Sequence, residues 1–232
     1  MAVTIAATDR KSSVSVGATP LDFTFAAGAN ATYLMVGTGI GSGSPPTLNS
    51  VTFNGVAMTQ LQVGTTTGTI FRAWLHGLLI PAGTTAALVW NWTGGTGVPG
   101  VAHIRSFNNA NLVTGSSAIT VDNGGSATTT VTVTGNSAAR LTIDSFVSHA
   151  GFADPTVGTN QVASPALIVD GLTTVQIDSS SETNESAMFW THSSSGSYKG
   201  VLIGAVLEDY TPPILGDPSH YVKRYHRFSF GG

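Results

Sequence analysis

What most constrains this chain is its punctuation: short runs rich in Val, Ile, Thr, Phe and Trp, each soon cut off by Gly, Pro, Asn or Ser. No stretch sustains an apolar period of 3.6, so an amphipathic helix has no face to bury. The clearest runs are "LDFTFAA", "TYLMVGT", "SVTF", "TIFRAWLHGLL", "TAALVWNW", "GVAHIRSF", "RLTIDSFVS", "SAMFWTH" and "GVLIGAVL". Successive side chains of a strand point to opposite sides, so alternate positions share a face. Leu88, Trp90 and Trp92 form one candidate core face. Leu141, Ile143, Ser145 and Val147 form a second, and Val201, Ile203, Ala205 and Leu207 a third. "TYLMV" and "GVLIGAVL" are apolar on both faces, which predicts central strands covered from both sides. The pattern predicts an all-β chain folded as an antiparallel two-sheet β-sandwich.

The turns carry their own signals. In "SVTFNGVAMTQL" the pair Asn54-Gly55 separates two alternating runs, and such a pair favours a two-residue hairpin turn with both residues at positive φ. "GTGIGSGSPPTLN" and "SHAGFADPTVGTNQVASP" read as long loops, and "SSSETNES" as an exposed acidic turn. "TGSSAITVDNGGSATTTVTVTG" is low in complexity, but its alternation predicts a hairpin with a turn at "VDNGG". No fixed-period repeat and no linker divide the chain, so residues 1–208 read as one sandwich domain.

Residues 209–232, "DYTPPILGDPSHYVKRYHRFSFGG", differ in character. Three prolines disfavour a sheet strand, and the last part sets Tyr221, Tyr225, Phe228 and Phe230 among Lys223, Arg224 and Arg227. Aromatics and Arg concentrate where interfaces hold their binding energy, so Tyr221, Arg224, Tyr225, Arg227, Phe228 and Phe230 are the expected interface residues of an extended C-terminal arm.

Charge and chemistry exclude several classes. Charged residues make up 9% of the chain, against roughly 25% in an ordinary soluble domain, so much of the surface is expected to lie against neighbours. The formal charge of −3 lacks the basic face that phosphate binding needs, so nucleic acid is not an expected partner. With no cysteine there is no disulfide and no thiolate chemistry. The start has no basic region before a long apolar core, and "VLIGAVL" is far too short to cross a bilayer. The chain therefore reads as made in a cytoplasm, with no membrane partner.

No catalytic, cofactor or metal site is expected. The glycines of "VGTGIGSG" precede Pro45-Pro46 instead of a helix, so they do not form a phosphate cradle. His76, His103, His149, His192, His220 and His226 show no metal-ligand spacing, and His76 and His103 sit on strands where packing is the plainer reading. The carboxylates are scattered, and no G-x-S-x-G elbow occurs. Trp90 and Trp92 point toward the core. Trp74, alternating with Arg72 and His76, is the better candidate for an exposed platform that stacks on a sugar.

"SVTFNGVAMTQL", then "FRAWLHGLLIPAGTTAALVW" and "VAHIRSFNNAN", resembles a β-sandwich module of tailed-bacteriophage virion structural proteins, which also occurs in some bacterial surface proteins. The matching elements are Val51 to Gly55, then Pro81, Ala82, Gly83 and Thr84, then Ser106-Phe107, with the resemblance covering about residues 48–150. It implies a jelly-roll or lectin-like sandwich and carries no active site across. The function it implies is a non-enzymatic virion protein, foremost a capsid decoration or cement protein. Such a protein self-associates about a three-fold axis and docks its arm on neighbours such as the major capsid protein. The alternative is a lectin-like module of a tail or head fibre that binds host-surface glycan.

Overall fold

Every regular element among the described residues is a strand. The computed structural model describes residues 2–18, 21–42, 45–68, 71–94, 96–148, 155–163, 175–192 and 198–210. The first half supplies β1 (Thr4–Ser13), β2 (Phe23–Ala26), β3 (Ala31–Gly41), β4 (Thr47–Phe53), β5 (Val56–Ala57), β6 (Thr59–Thr65), β7 (Phe71–Leu79), β8 (Thr85–Thr93) and β9 (Gly100–Asn108). The second supplies β10 (Ala110–Leu112), β11 (Ala118–Asp122), β12 (Thr128–Thr132), β13 (Leu141–Ser148), β14 (Thr156–Val157), β15 (Val162–Ala163), β16 (Gln176–Asp178), β17 (Ser180–Thr183), β18 (Ala187–Thr191) and β19 (Gly200–Asp209).

These strands form four antiparallel sheets. Their orders are β1-β9-β3-β7-β6, β2-β8-β4-β5, β10-β19-β13-β17-β15 and β12-β18-β14, with β11 also pairing β19 and β16 also pairing β13. Three apolar layers stack the sheets. Leu34, Val36, Ile40, Trp74 and Ile104 of the first sheet meet Phe25, Val51, Phe53, Leu88 and Trp90 of the second. On its other face the first sheet sets Tyr33, Met35, Leu75, Val101 and Phe107 against Ile143, Val147, Val201, Ile203 and Leu207 of the third. Phe146 and Leu202 then meet Val131, Met188 and Trp190 of the fourth. Strands β3 and β19 are therefore buried on both faces, as their two-sided apolar pattern predicts, and β9 is buried on both faces although it carries His103, Arg105 and Ser106.

The expected all-β antiparallel sandwich architecture is present, but the strands form four sheets in two such units where the sequence suggests a single two-sheet sandwich over residues 1–208. β11, β19, β13 and β17 repeat the order of β1, β9, β3 and β7, while β12, β18 and β14 repeat β2, β8 and β4. In the first half the 1-9-3-7 sheet faces a 2-8-4-5 sheet, the pairing of four-stranded sheets found in a jelly roll. A single residue, Asn109 at φ 50°, separates the last strand of the first sandwich from the first strand of the second. Asn is among the few side chains that tolerate this left-handed conformation.

The Asn54-Gly55 turn forms as its sequence predicts, with φ of 53° and 73° and the pairs Thr52↔Ala57 and Phe53↔Val56 around it. Three other local readings need correction. The loop expected from Gly37 is the end of β3, which runs on to Gly41. A side chain at Gly37 would place its Cβ 2.3 Å from Ser145 Oγ, and one at Gly39 would reach 2.6 Å from Val147. These glycines serve close contact between the two sandwiches rather than a turn. β11 and β12 do not form a hairpin with each other, because β11 pairs with β19 and β12 with β18 in the neighbouring sheet. The "VDNGG" turn lies between them, and Asp122 Oδ1 accepts the Gly124 N–H at 2.8 Å. The acidic turn at "SSSETNES" begins as strand, with Ser179, Ser180 and Ser181 buried.

Candidate functional site

Trp74 is 3% exposed, so it offers no stacking platform to a sugar. The expectation fails because β7 lies within a sheet covered on both faces, where alternation separates two buried faces and not inside from outside. The ring meets Trp92 edge-on with centroids 5.6 Å apart, and the Arg72 guanidinium lies 5.3 Å above it. Tyr221, Arg224, Tyr225, Arg227, Phe228 and Phe230 lie outside the described residues.

The polar groups that converge do so inside the second sandwich. Asp144 on β13 is fully buried and faces the β12-β18-β14 sheet. Its Oδ1 accepts the Ser180 N–H at 2.5 Å. Its Oδ2 accepts Ser180 Oγ at 2.8 Å, Trp190 Nε1 at 2.9 Å and Gln161 Nε2 at 3.4 Å. From the first sandwich, Arg105 on β9 reaches across the shared layer and donates Nη1 to the Ser180 carbonyl at 2.9 Å and Nη2 to the Asp144 carbonyl. Burial pushes the Asp144 carboxyl up, while the Arg105 charge and the bonds from Trp190 and Ser180 pull it down. Burial also lowers Arg105 to about 10, against the Asp144 charge that raises it. His103, on the same face of β9, hydrogen-bonds Ser179 Oγ and is held neutral by burial first and by Arg105 and Arg10 second.

This cluster pins three sheets at one point. Neither Ser180 nor Gln161 stood out in the sequence, because no local spacing announces a cluster assembled from positions 105, 144, 161, 180 and 190.

A second cluster has the composition of a catalytic triad and not its geometry. His192 Nε2 lies 2.8 Å from Thr129 Oγ1 and 3.3 Å from Asp122 Oδ2, and Thr129 Oγ1 donates to Asp122 Oδ2 at 3.2 Å. A relay needs the acid on one ring nitrogen and the nucleophile on the other, whereas here both sit on Nε2. Thr129 is buried, and the imidazole stacks on Tyr198 at 4.2 Å. The arrangement is one of packing. Among the described residues no group of three His, Asp or Glu side chains could hold a metal ion, and no helix is long and apolar enough to cross a membrane.

The surface carries hollows as well. An open groove of about 470 Å³ is lined by Val16, Asp22, Asn91, half-buried Trp92 and Thr96. A hollow of about 320 Å³ lies among Ala2, Val3, Arg140, Leu141, Thr183 and Asp209, where β19 ends. Arg140 Nη2 there donates to Glu208 Oε2 at 2.5 Å. No family model, curated protein or solved structure matches the chain.

Proposed function

We propose that this chain is a non-enzymatic structural protein of a bacteriophage virion, foremost a capsid decoration or cement protein. The observation that carries the reading is where the polar chemistry lies: the groups that converge, around Asp144 and around His192, are buried and bonded to one another. A double sandwich of this kind is a rigid block. The low charge of the sequence suits a surface that neighbours cover. The edge strand β1 carries Asp9, Arg10 and Lys11, which discourage strand-to-strand fusion and leave side-chain docking as the route to assembly. Copies associate about a three-fold axis, and the segment after Tyr210 docks on a neighbouring copy or on the major capsid protein.

Size-exclusion chromatography with light scattering on the full chain and on a 1–209 truncation tests this reading. A discrete oligomer that falls to monomer on truncation supports the docking segment. Two monomers, with unchanged binding to capsids by the truncated chain, would overturn it.

A second reading, a glycan-binding fibre module, draws on the groove beside Trp92. The half-buried ring of Trp92, beside the edge of Trp90 and among Asp22, Asn91 and Thr96, is a lining suited to a neutral sugar. A glycan-array signal removed by Trp92→Ala would favour it, and a blank array would count against it.

A further inference from the structure

One sealed site in the second sandwich holds a hydroxyl, a carboxylate, a side-chain amide and a donor aimed at that amide's oxygen. Ser180 Oγ donates to Asp144 Oδ2 at 2.8 Å and accepts from Gln161 Nε2 at 2.7 Å. Gln161 Oε1 accepts the backbone N–H of Phe189 at 2.9 Å, which fixes the end of the amide that carries the oxygen. Asp144 Oδ2 lies 3.4 Å from Gln161 Nε2, so the same carboxylate oxygen touches both the hydroxyl and the amide nitrogen. Asp144 and Ser180 are 0% exposed and Gln161 7%.

These are the parts of an acyl transfer: a nucleophile on its base, a carbonyl polarised by a backbone N–H, and an acid beside the leaving group. We propose that Ser180 and Gln161 become joined by an intramolecular ester, formed once within each folded chain with Asp144 carrying the proton. The Ser180 hydroxyl gives its proton to the Asp144 carboxylate as Oγ adds to Gln161 Cδ. The N–H of Phe189 holds the negative charge on Oε1. Asp144 then returns the proton to Nε2, the Cδ–Nε2 bond breaks, the Oγ–Cδ ester bond remains, and ammonia leaves. Atoms balance without an oxidant, a reductant or a second substrate.

Two features of the site suit this step. Burial raises the Asp144 carboxyl, which makes it a better holder of the proton it must deliver. Burial also keeps water from the ester, and ammonia loss makes the reverse reaction slow. Oγ now rests against Nε2, the atom bonded to Cδ, so a small rotation of the Ser180 side chain about Cα–Cβ, with Oε1 still held by the Phe189 N–H, brings Oγ over Cδ at a reacting distance of about 3–3.5 Å. Arg105 and Trp190 are positioning residues, the first on the carbonyls of Ser180 and Asp144, the second on the carboxylate. The bond would fasten β17 to the residue just before the edge strand β15.

Intact-mass spectrometry of the aged, denatured full-length protein tests this directly. The expected mass is lower than calculated by one ammonia, and a peptide map shows one joined pair containing Ser180 and Gln161 that hydroxylamine separates. Ser180→Ala, Gln161→Glu and Asp144→Asn should each return the mass calculated for that variant. Succinimide formation at Asn54-Gly55 also releases ammonia, so a loss that maps there overturns the proposal. A folded wild-type chain at its full calculated mass overturns it as well, and needs no variant to fold.

Discussion

The two sandwiches share a strand order and differ in what fills their centres. At matching places, Trp90 on β8 and Trp190 on β18 each point an indole N–H at the third strand of their own unit. Trp90 Nε1 donates to Thr38 Oγ1 at 2.9 Å, and Trp190 Nε1 to Asp144 Oδ2 at 2.9 Å. Both acceptors face the central last strand of their unit, Thr38 paired with Ala102 on β9 and Asp144 with Gly204 on β19. Around Thr38 the first core is apolar and aromatic, with Phe23 stacked on Trp90 and Phe25 edge-on to Phe53. Around Asp144 the second core is a polar knot tied to the first sandwich by Arg105. One architecture therefore accepts a dry centre or a charged one, provided every buried polar atom at the charged centre finds a partner.

The sharpest way to break the comparison is to cut the knot from outside its own sandwich. Arg105→Met should strip two backbone carbonyls of their donor and Asp144 of its neighbouring charge, at a cost of about 3–5 kcal/mol. Urea unfolding that shows a loss below about 1 kcal/mol would mean that Arg105 only fills space.

Acid should weaken the molecule through two neutral imidazoles. Burial lowers His76 to about 4 and His103 well below 6.5. The unfolded chain thus binds protons first, and the stability these groups provide is present above about pH 6.5 and lost as pH falls. Two such groups give a slope approaching about 2.7 kcal/mol per pH unit near pH 5. His76→Leu should halve it. An unchanged slope in denaturant titrations between pH 7 and 5 would place the acid sensitivity elsewhere.

The tryptophan pair compares the two centres directly. Trp190→Phe removes a bond to a buried carboxylate and should cost about 1.5–3 kcal/mol beyond the packing change, while Trp90→Phe removes a bond to a hydroxyl and should cost about 0.5–1.5 kcal/mol. Equal losses in thermal melts would show that the two centres are alike in energy despite their chemistry. A further test lies at the turn, away from both centres. Gly55→Val meets no atom within 4 Å but forces a β-branched residue to φ 73°, so about 1–2 kcal/mol should be lost by conformation alone.

Much of the fold is legible in the sequence because it is local. Asn54-Gly55 specifies its own turn, and the short two-sided apolar run "GVLIGAVL" specifies a central strand without reference to its neighbours. Gly37 and Gly39 mislead because their reason is tertiary: they let Ser145 and Val147 of the other sandwich approach. Trp74 misleads because alternation marks two faces and says nothing of a second sheet that covers the outer one. The repeated strand order is silent because it lies in the pairing and not in a residue period: apart from Trp90 and Trp190 the centres differ, with Thr38 in one and Asp144 in the other. The Asp144 cluster is silent for a related reason, since Gln161 and Ser180 gain their meaning only when β13, β17 and β18 are assembled.

Strand order also sets a timetable for synthesis. In each unit the last strand inserts between the first and the third, β9 between β1 and β3 and β19 between β11 and β13. Thr4 must wait for Asn108 before it has a partner. Neither sheet can close as the chain emerges from the ribosome, and the first sandwich stays open until its ninth strand arrives. Pairings of such long sequence separation place folding in the range of about milliseconds to seconds rather than microseconds. During that interval β3, apolar on both faces, is the segment most in need of protection from other chains.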